Sequence, residues 1–127
     1  MILERIEALL PDAILDRHDF RGDLTIVVDG GRLLEVIDLI FTEGFQMLLD
    51  ITAVDFLDRD PRFDVVYHLL NLTNQDRLRI KVRVNDGEAV PSLTSRFKCA
   101  DWSESEVHDM FGLRFEGHPD LKRLLMW

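Results

Sequence analysis

At 127 residues, 46% hydrophobic and 31% charged, the chain has the make-up of one soluble globular domain, with no apolar run near the ~20 residues that span a bilayer. Twenty-four acids against 15 bases give a net charge of −9, which disfavours a nucleic-acid partner unless the bases cluster. Cys99 stands alone, which excludes an internal disulfide and a thiolate-built zinc or iron–sulfur site and points to a reducing, cytoplasmic compartment.

Ile2, Leu3, Ile6, Leu9 and Leu10 recur at helical spacing, and Pro11 with Asp12 ends that helix. Glu4, Arg5 and Glu7 interrupt the apolar pattern, so the start reads as a helix rather than a secretion signal. Ala13 to Asp19 and Asp23 to Asp29 read as two short strands about the turn at Arg21-Gly22. Asp29 can cap a second helix faced by Leu33, Leu34, Ile37, Ile40 and Phe41, and Gly44 is placed to close it.

From Phe45 to Phe56 the pattern predicts a strand whose core face carries Phe45, Met47, Leu49, Ile51 and Ala53. A loop with Pro61 follows, and Phe63 to Leu72 is apolar enough for a central strand. After a turn at Thr73 to Asp76, Arg77 to Val84 alternates without a slip. Leu78, Ile80, Val82 and Val84 point inward and Arg77, Arg79, Lys81 and Arg83 outward.

The order α-β-β-α-β-β-β, with hairpins joining the later strands, predicts a two-layer α+β domain with a mostly antiparallel sheet covered by helices. A partly helical C-terminal segment completes it. No linker or repeat divides the chain, so residues 1–127 form a single domain, with an α+β core over 1–100 and a docking segment over 101–127.

The basic strand face could bind phosphate, nucleic acid or an acidic protein. Alternatively it is a solvated face paired with acids such as Asp50 or Asp64, or a guarded sheet edge. His18, His68, His108 and His118 show no ligand-pair spacing, and Glu104 with His108 near Asp101 is the usual pattern of a helix surface. Glu106 and Asp109 could serve as acid and base only inside a pocket, and acids in a helix's first turns are favoured by the macrodipole alone. No catalytic, cofactor-binding or metal residue is assigned.

The tail from Trp102 to Trp127 is the most unusual stretch. Val107, Met110 and Phe111 stripe a helix ended by Gly112, Gly117 loosens the chain, and Pro119 opens a second short helix. Asp120 suits the first turn of that helix and Lys122 and Arg123 its last, while Leu121, Leu124 and Leu125 face it. With Leu113, Phe115, Met126 and Trp127 this much apolar surface either folds back on its own sheet or meets another polypeptide.

These residues resemble the signature of the C subunit of the proton-pumping NADH–quinone oxidoreductase, respiratory complex I. Glu104, Glu106, Asp109, Met110, Phe111, His118, Lys122, Leu124 and Leu125 fall on its positions. The stretches Leu48 to Phe56 and Phe63 to Val84 are also similar to the family. The resemblance implies a cofactor-free member of the hydrophilic arm, packed on the large quinone-reacting D subunit and its neighbours. It would be peripheral on the cytoplasmic side of the inner membrane, touching the membrane only through the complex. FMN, iron–sulfur clusters and quinone would sit on partner subunits. Docking then falls to Glu104, Glu106, Asp109, Phe111, Gly112, His118, Asp120, Lys122 and Arg123.

Ser105 stands where the family pattern has arginine, which removes a bidentate contact to a partner carboxylate, and His108 stands where tyrosine is usual. The chain ends at Trp127 where family members generally continue. These departures leave open a shortened paralogue, or the equivalent subunit of a membrane-bound hydrogenase or another quinone-linked dehydrogenase. From a different class, a small acid–base enzyme using Glu106 and Asp109 also stays open.

Overall fold

The computed structural model describes residues 2–20 and 23–118. In chain order its elements are α1 (Ile2–Leu9), β1 (Ile14–Phe20), β2 (Asp23–Val28), α2 (Leu33–Thr42), β3 (Phe45–Asp55) and β4 (Phe63–Asn71). They continue with β5 (Arg77–Val84), β6 (Ala89–Pro91), α3 (Ala100–Phe111) and β7 (Arg114–Glu116). A 3-10 turn over Gly30–Arg32 leads into α2, and the Asp29 carboxylate caps that turn by accepting from the Gly31 N–H at 3.1 Å. Gly44, with φ of +107°, closes α2, and an added Cβ there would meet the Asn71 Oδ1 at 2.7 Å. Glycine is required on both counts.

The five long strands form one sheet in the order β1-β2-β5-β4-β3. β3, β4 and β5 are antiparallel neighbours, as the short turns between them demand, and β1 pairs antiparallel with β2. β2 and β5, however, run parallel at the centre. The unbroken alternation of β5 buries Leu78, Ile80, Val82 and Val84 against the helices. Ile6 of α1, Val36, Ile37 and Ile40 of α2, and Ala100 and Val107 of α3 all join that same core. Each of the valines, leucines and isoleucines among them contributes about 1.5–3 kcal/mol by leaving water. Val27 and Val66 point to the opposite face and lie outside the core cluster, so the helices form one layer.

Strand β3 departs from simple alternation. Phe45 and Ile51 are buried as expected, but Met47 and Leu49 are 44% and 42% exposed and Leu48 takes the inward place. Two irregularities in the pairing with β4, between Phe45 and Met47 and between Leu48 and Asp50, are responsible. Each inserts a residue and reverses the parity of the positions beyond it. Phe41 likewise stays at the margin of the core, its ring tilted against Phe97 at 6.0 Å. Beyond the expected elements, β6 and β7 form a short parallel ladder, and β5 is the central strand rather than a guarded edge.

Candidate docking surface

The residues around α3 divide between inside and outside. The helix ends where Gly112 adopts φ of +72° and its N–H reaches the His108 carbonyl at 2.8 Å, the left-handed cap that glycine supplies most readily. The Nδ1 of His108 lies 2.9 Å from the Leu113 carbonyl, which draws the ring back over the helix end. Leu113 and Phe115, just beyond, are buried in the core.

Glu104 is wholly enclosed, at 0% exposure. Its Oε1 accepts from the Ser92 hydroxyl and its Oε2 from the Leu93 N–H, both at 2.7 Å. The Nε2 of His118 lies 3.9 Å from Glu104 Oε1 and 3.1 Å from Asp101 Oδ1, with its side chain covered. One carboxyl therefore joins the loop after β6, the first turns of α3 and the start of the C-terminal segment. Burial pushes the Glu104 carboxyl above its ordinary pKa, against the opposing pull of the Leu93 and Ser92 bonds and His118; Asp101 adds to the rise. Burial and then the charge of Glu104 also push the phenol of Tyr67 well above its usual value. The Tyr67 hydroxyl has no hydrogen-bond partner among the described residues.

The outward side of α3 differs. Trp102 and Met110 are 56% and 72% exposed, so Met110 does not join Val107 in the buried stripe. Asp109 is exposed and Glu106 half-buried, and neither carboxylate has a hydrogen bond or ion pair among the described residues. Phe111 is half-buried, edge-on to Phe63 with ring centroids 6.1 Å apart. Gly112 is exposed. Asp120, Lys122 and Arg123, with the short helix expected after Pro119, lie outside the described residues.

Of the residues expected to dock, the structure brings Glu104 and His118 together on the inside and presents Glu106, Asp109 and Gly112 outside. Glu104 and His108 turn to different partners and do not converge as ligands would. Glu106 and Asp109 line neither the cleft of about 760 Å³ beside α1 nor the shallow hollow beside β5. Sequence reasoning missed Trp102 as an exposed apolar contact, and missed Ser92 and Leu93 as partners of Glu104. No local signal marks those two, because the contact crosses 11 or 12 residues of mostly irregular chain.

Residues 26–127 match the family model described as "Respiratory-chain NADH dehydrogenase, 30 Kd subunit". A protein from Roseiflexus sp. (strain RS-1), named as the C subunit of NADH-quinone oxidoreductase, is 45% identical over 98% of this chain and 74% of the relative. Its namesake from Citrifermentans bemidjiense is 40% identical, over 96% of this chain and 77% of the relative. The solved structure described as "Nqo5 of the trypsin-resistant fragment (1-134) in P63 form" superimposes with a TM-score of 0.82 at 34% identity, over 95% of this chain and all of that one. A chain from a membrane-bound sulfane sulfur reductase, described as an archaeal respiratory membrane complex, gives a TM-score of 0.84 at 27% identity. That match covers 99% of this chain and 74% of the other.

Proposed function

The chain belongs to the family of the respiratory-chain NADH dehydrogenase 30 Kd subunit, and from that premise we propose that it is a structural and assembly subunit that docks on the large quinone-reacting D subunit. In this reading it is the C subunit of a complex-I-type oxidoreductase, in the hydrophilic arm, and holds no cofactor of its own. FMN, iron–sulfur clusters and quinone then belong to its neighbours. Its place is peripheral, on the cytoplasmic side of the inner membrane. No helix among the described residues is long and apolar enough to cross a bilayer.

The observation that carries the proposal is the outward side of α3. Trp102 and Met110 hold large apolar surfaces in water beside the carboxylates of Glu106 and Asp109, which have no ion pair among the described residues. Aromatic and methionine side chains of this kind are the anchors that interfaces favour, and flanking charges set orientation. Glu104 and His118 have a different part in this reading. They fix α3 and the start of the C-terminal segment in position.

The test is isolation of native complexes from source membranes. Co-purification of this chain with a large partner and with flavin and iron–sulfur absorbance is the expected result. Recovery only as a free monomer refutes the proposal. A second reading is favoured by the likeness to the sulfane sulfur reductase chain, namely that this chain is the equivalent subunit of another respiratory membrane complex. The redox centres that co-purify distinguish the two.

A further inference from the structure

The face of the sheet opposite the helices has a composition that docking through α3 leaves unused. Down the central strand β5, the outward residues are Arg77, Arg79, Lys81 and Arg83, about 6.7 Å from one to the next. Because β5 is hydrogen-bonded on both sides, these cations are not guards of an open edge. Their neighbours in register are Thr25 and Val27 on β2 and Asp64, Val66, His68 and Leu70 on β4. Val27, Val66 and Thr25 are buried beneath this layer, and Met47, Leu49 and Val54 on β3 are exposed beside it.

Most carboxylates of that face are occupied elsewhere, while Asp23 shares a small hollow with Arg77 and Arg79 without closing an ion pair among the described residues. Asp64 is held by Arg59, and Asp16 is shared between His18 at 3.4 Å and Arg83 at 3.9 Å. Asp50 opposes His68, and its Oδ1 accepts from the Ile51 N–H. Among the described residues, Arg79 reaches the Thr25 hydroxyl at 3.4 Å and closes no ion pair, and Arg77 and Lys81 have no ion-pair partner either. A chain of net charge −9 thus gathers, along the middle of one partly apolar face, positive charge that has few ion-pair partners among the described residues, and none of their helices covers that face.

We propose that this face is a second docking surface, and that it takes an acidic amphipathic polypeptide segment supplied by a neighbouring subunit. The proposal rests on the reading of the chain as an assembly subunit. Five strands at about 4.8 Å give a face about 19 Å wide, room for one or two helices at the usual packing distance of about 10 Å. Carboxylates on such a segment meet these cations, and its apolar residues cover Leu70, Met47, Leu49 and Val54. A nucleic acid fits less well. The overall charge repels a phosphate backbone, and the outward positions of β2, β4 and β5 carry no aromatic platform for bases.

The test places a photo-crosslinking residue at Leu49 in the intact complex purified from source membranes, with Met110 on α3 and Leu9 on α1 as comparison sites. A crosslink from Leu49 to an acidic segment of a different polypeptide is expected. A crosslink from Met110 but none from Leu49 overturns this inference and leaves docking through α3 standing. No crosslink from either, with the chain running free, removes both readings.

A Leu49 crosslink to a second copy of the chain also overturns the inference. So does saturable binding of the isolated chain to phosphatidylserine-containing vesicles or polyuridylate that Lys81→Glu abolishes. In assembly, Lys81→Glu and Arg77→Glu weaken incorporation about tenfold, the scale of setting like charges against each other across an interface. Lys81→Met, which keeps the stem, weakens it less. An unchanged melting temperature in all three variants separates this loss from unfolding. Incorporation that is indifferent to charge reversal and to added salt refutes the acidic partner.

Discussion

Replacing Glu104 tests whether the buried carboxyl is the tie that the structure shows. Glu104→Ala leaves the Leu93 N–H without an acceptor in a site closed to water, and leaves the Ser92 hydroxyl only the Thr94 Oγ1 at 2.9 Å to turn to. The orphaned N–H costs about 1–3 kcal/mol, and the lost Ser92 bond and the emptied volume add to this. The expected loss is about 3–5 kcal/mol, a large share of the ~5–15 kcal/mol that holds a typical domain folded. At about 3–5 °C per kcal/mol for a chain of this size, the melting temperature falls by about 10–20 °C.

Glu104→Gln keeps the volume and the acceptor for the Leu93 N–H, but its N–H₂ must donate to the Ser92 oxygen, which already accepts from the Thr94 N–H at 3.2 Å, so its cost is about 1–3 kcal/mol. The pH dependence fixes the sign. Burial raises the folded pKa of Glu104 above its ordinary value of 4.5, so the folded state binds the proton more tightly than the unfolded chain does. The stability linked to that proton is fully present below the ordinary value of 4.5 and is lost as pH rises through the raised folded value. Glutamine carries no such dependence. The cost of Glu104→Gln, read from urea unfolding at a series of pH values, is therefore larger at about pH 4 than at about pH 7. A cost that grows with pH, or one below about 0.5 kcal/mol throughout, refutes the reasoning.

Gly44→Ala destabilises the isolated chain by about 1–3 kcal/mol in chemical unfolding, because it strains a positive φ and drives a methyl group into the Asn71 amide. Tyr67→Phe is neutral or stabilises by up to about 1 kcal/mol by calorimetry, since it removes a buried hydroxyl with no protein partner among the described residues. Met110→Asp, at an exposed site, leaves unfolding within about 0.5 kcal/mol while reducing recovery of the chain with its partner in pull-down. Phe111→Ala costs the lone domain about 1 kcal/mol through the lost edge-on contact with Phe63, and it weakens partner association by more than that.

What could be read from the sequence tracks how local the determining contacts are. β5 was legible residue by residue because its alternation has no bulge and its inward side chains are all aliphatic. β3 was legible as a strand but not as a pattern. Its two bulges depend on how β4 lies beside it, and that put Leu48 where Met47 and Leu49 were expected. The Gly112 cap followed from its place after an apolar stripe, whereas the three-residue strands β6 and β7 are too short to show any period. At the candidate site, helical spacing put Glu104 and Glu106 near one another along α3. It could not tell that one faces Ser92 and Leu93 while the other has no partner among the described residues. The family resemblance rested on residue identities and carried no information about which side chains turn inward.

The parallel seam at the middle of the sheet has a bearing on how the chain is made. It joins Thr25 to Arg79, residues 54 apart, and among the described residues it is the strand pairing that ties the first hairpin to the rest of the sheet. Closing so long a loop adds little to the entropic cost, but distant pairings of this sort set the pace at which a protein acquires its shape. On the ribosome, the opening hairpin must wait until Val84 has emerged. The β3–β4–β5 meander, linked by short turns, offers the earlier nucleus. A nascent chain halted before that point leaves the hairpin with nothing to join.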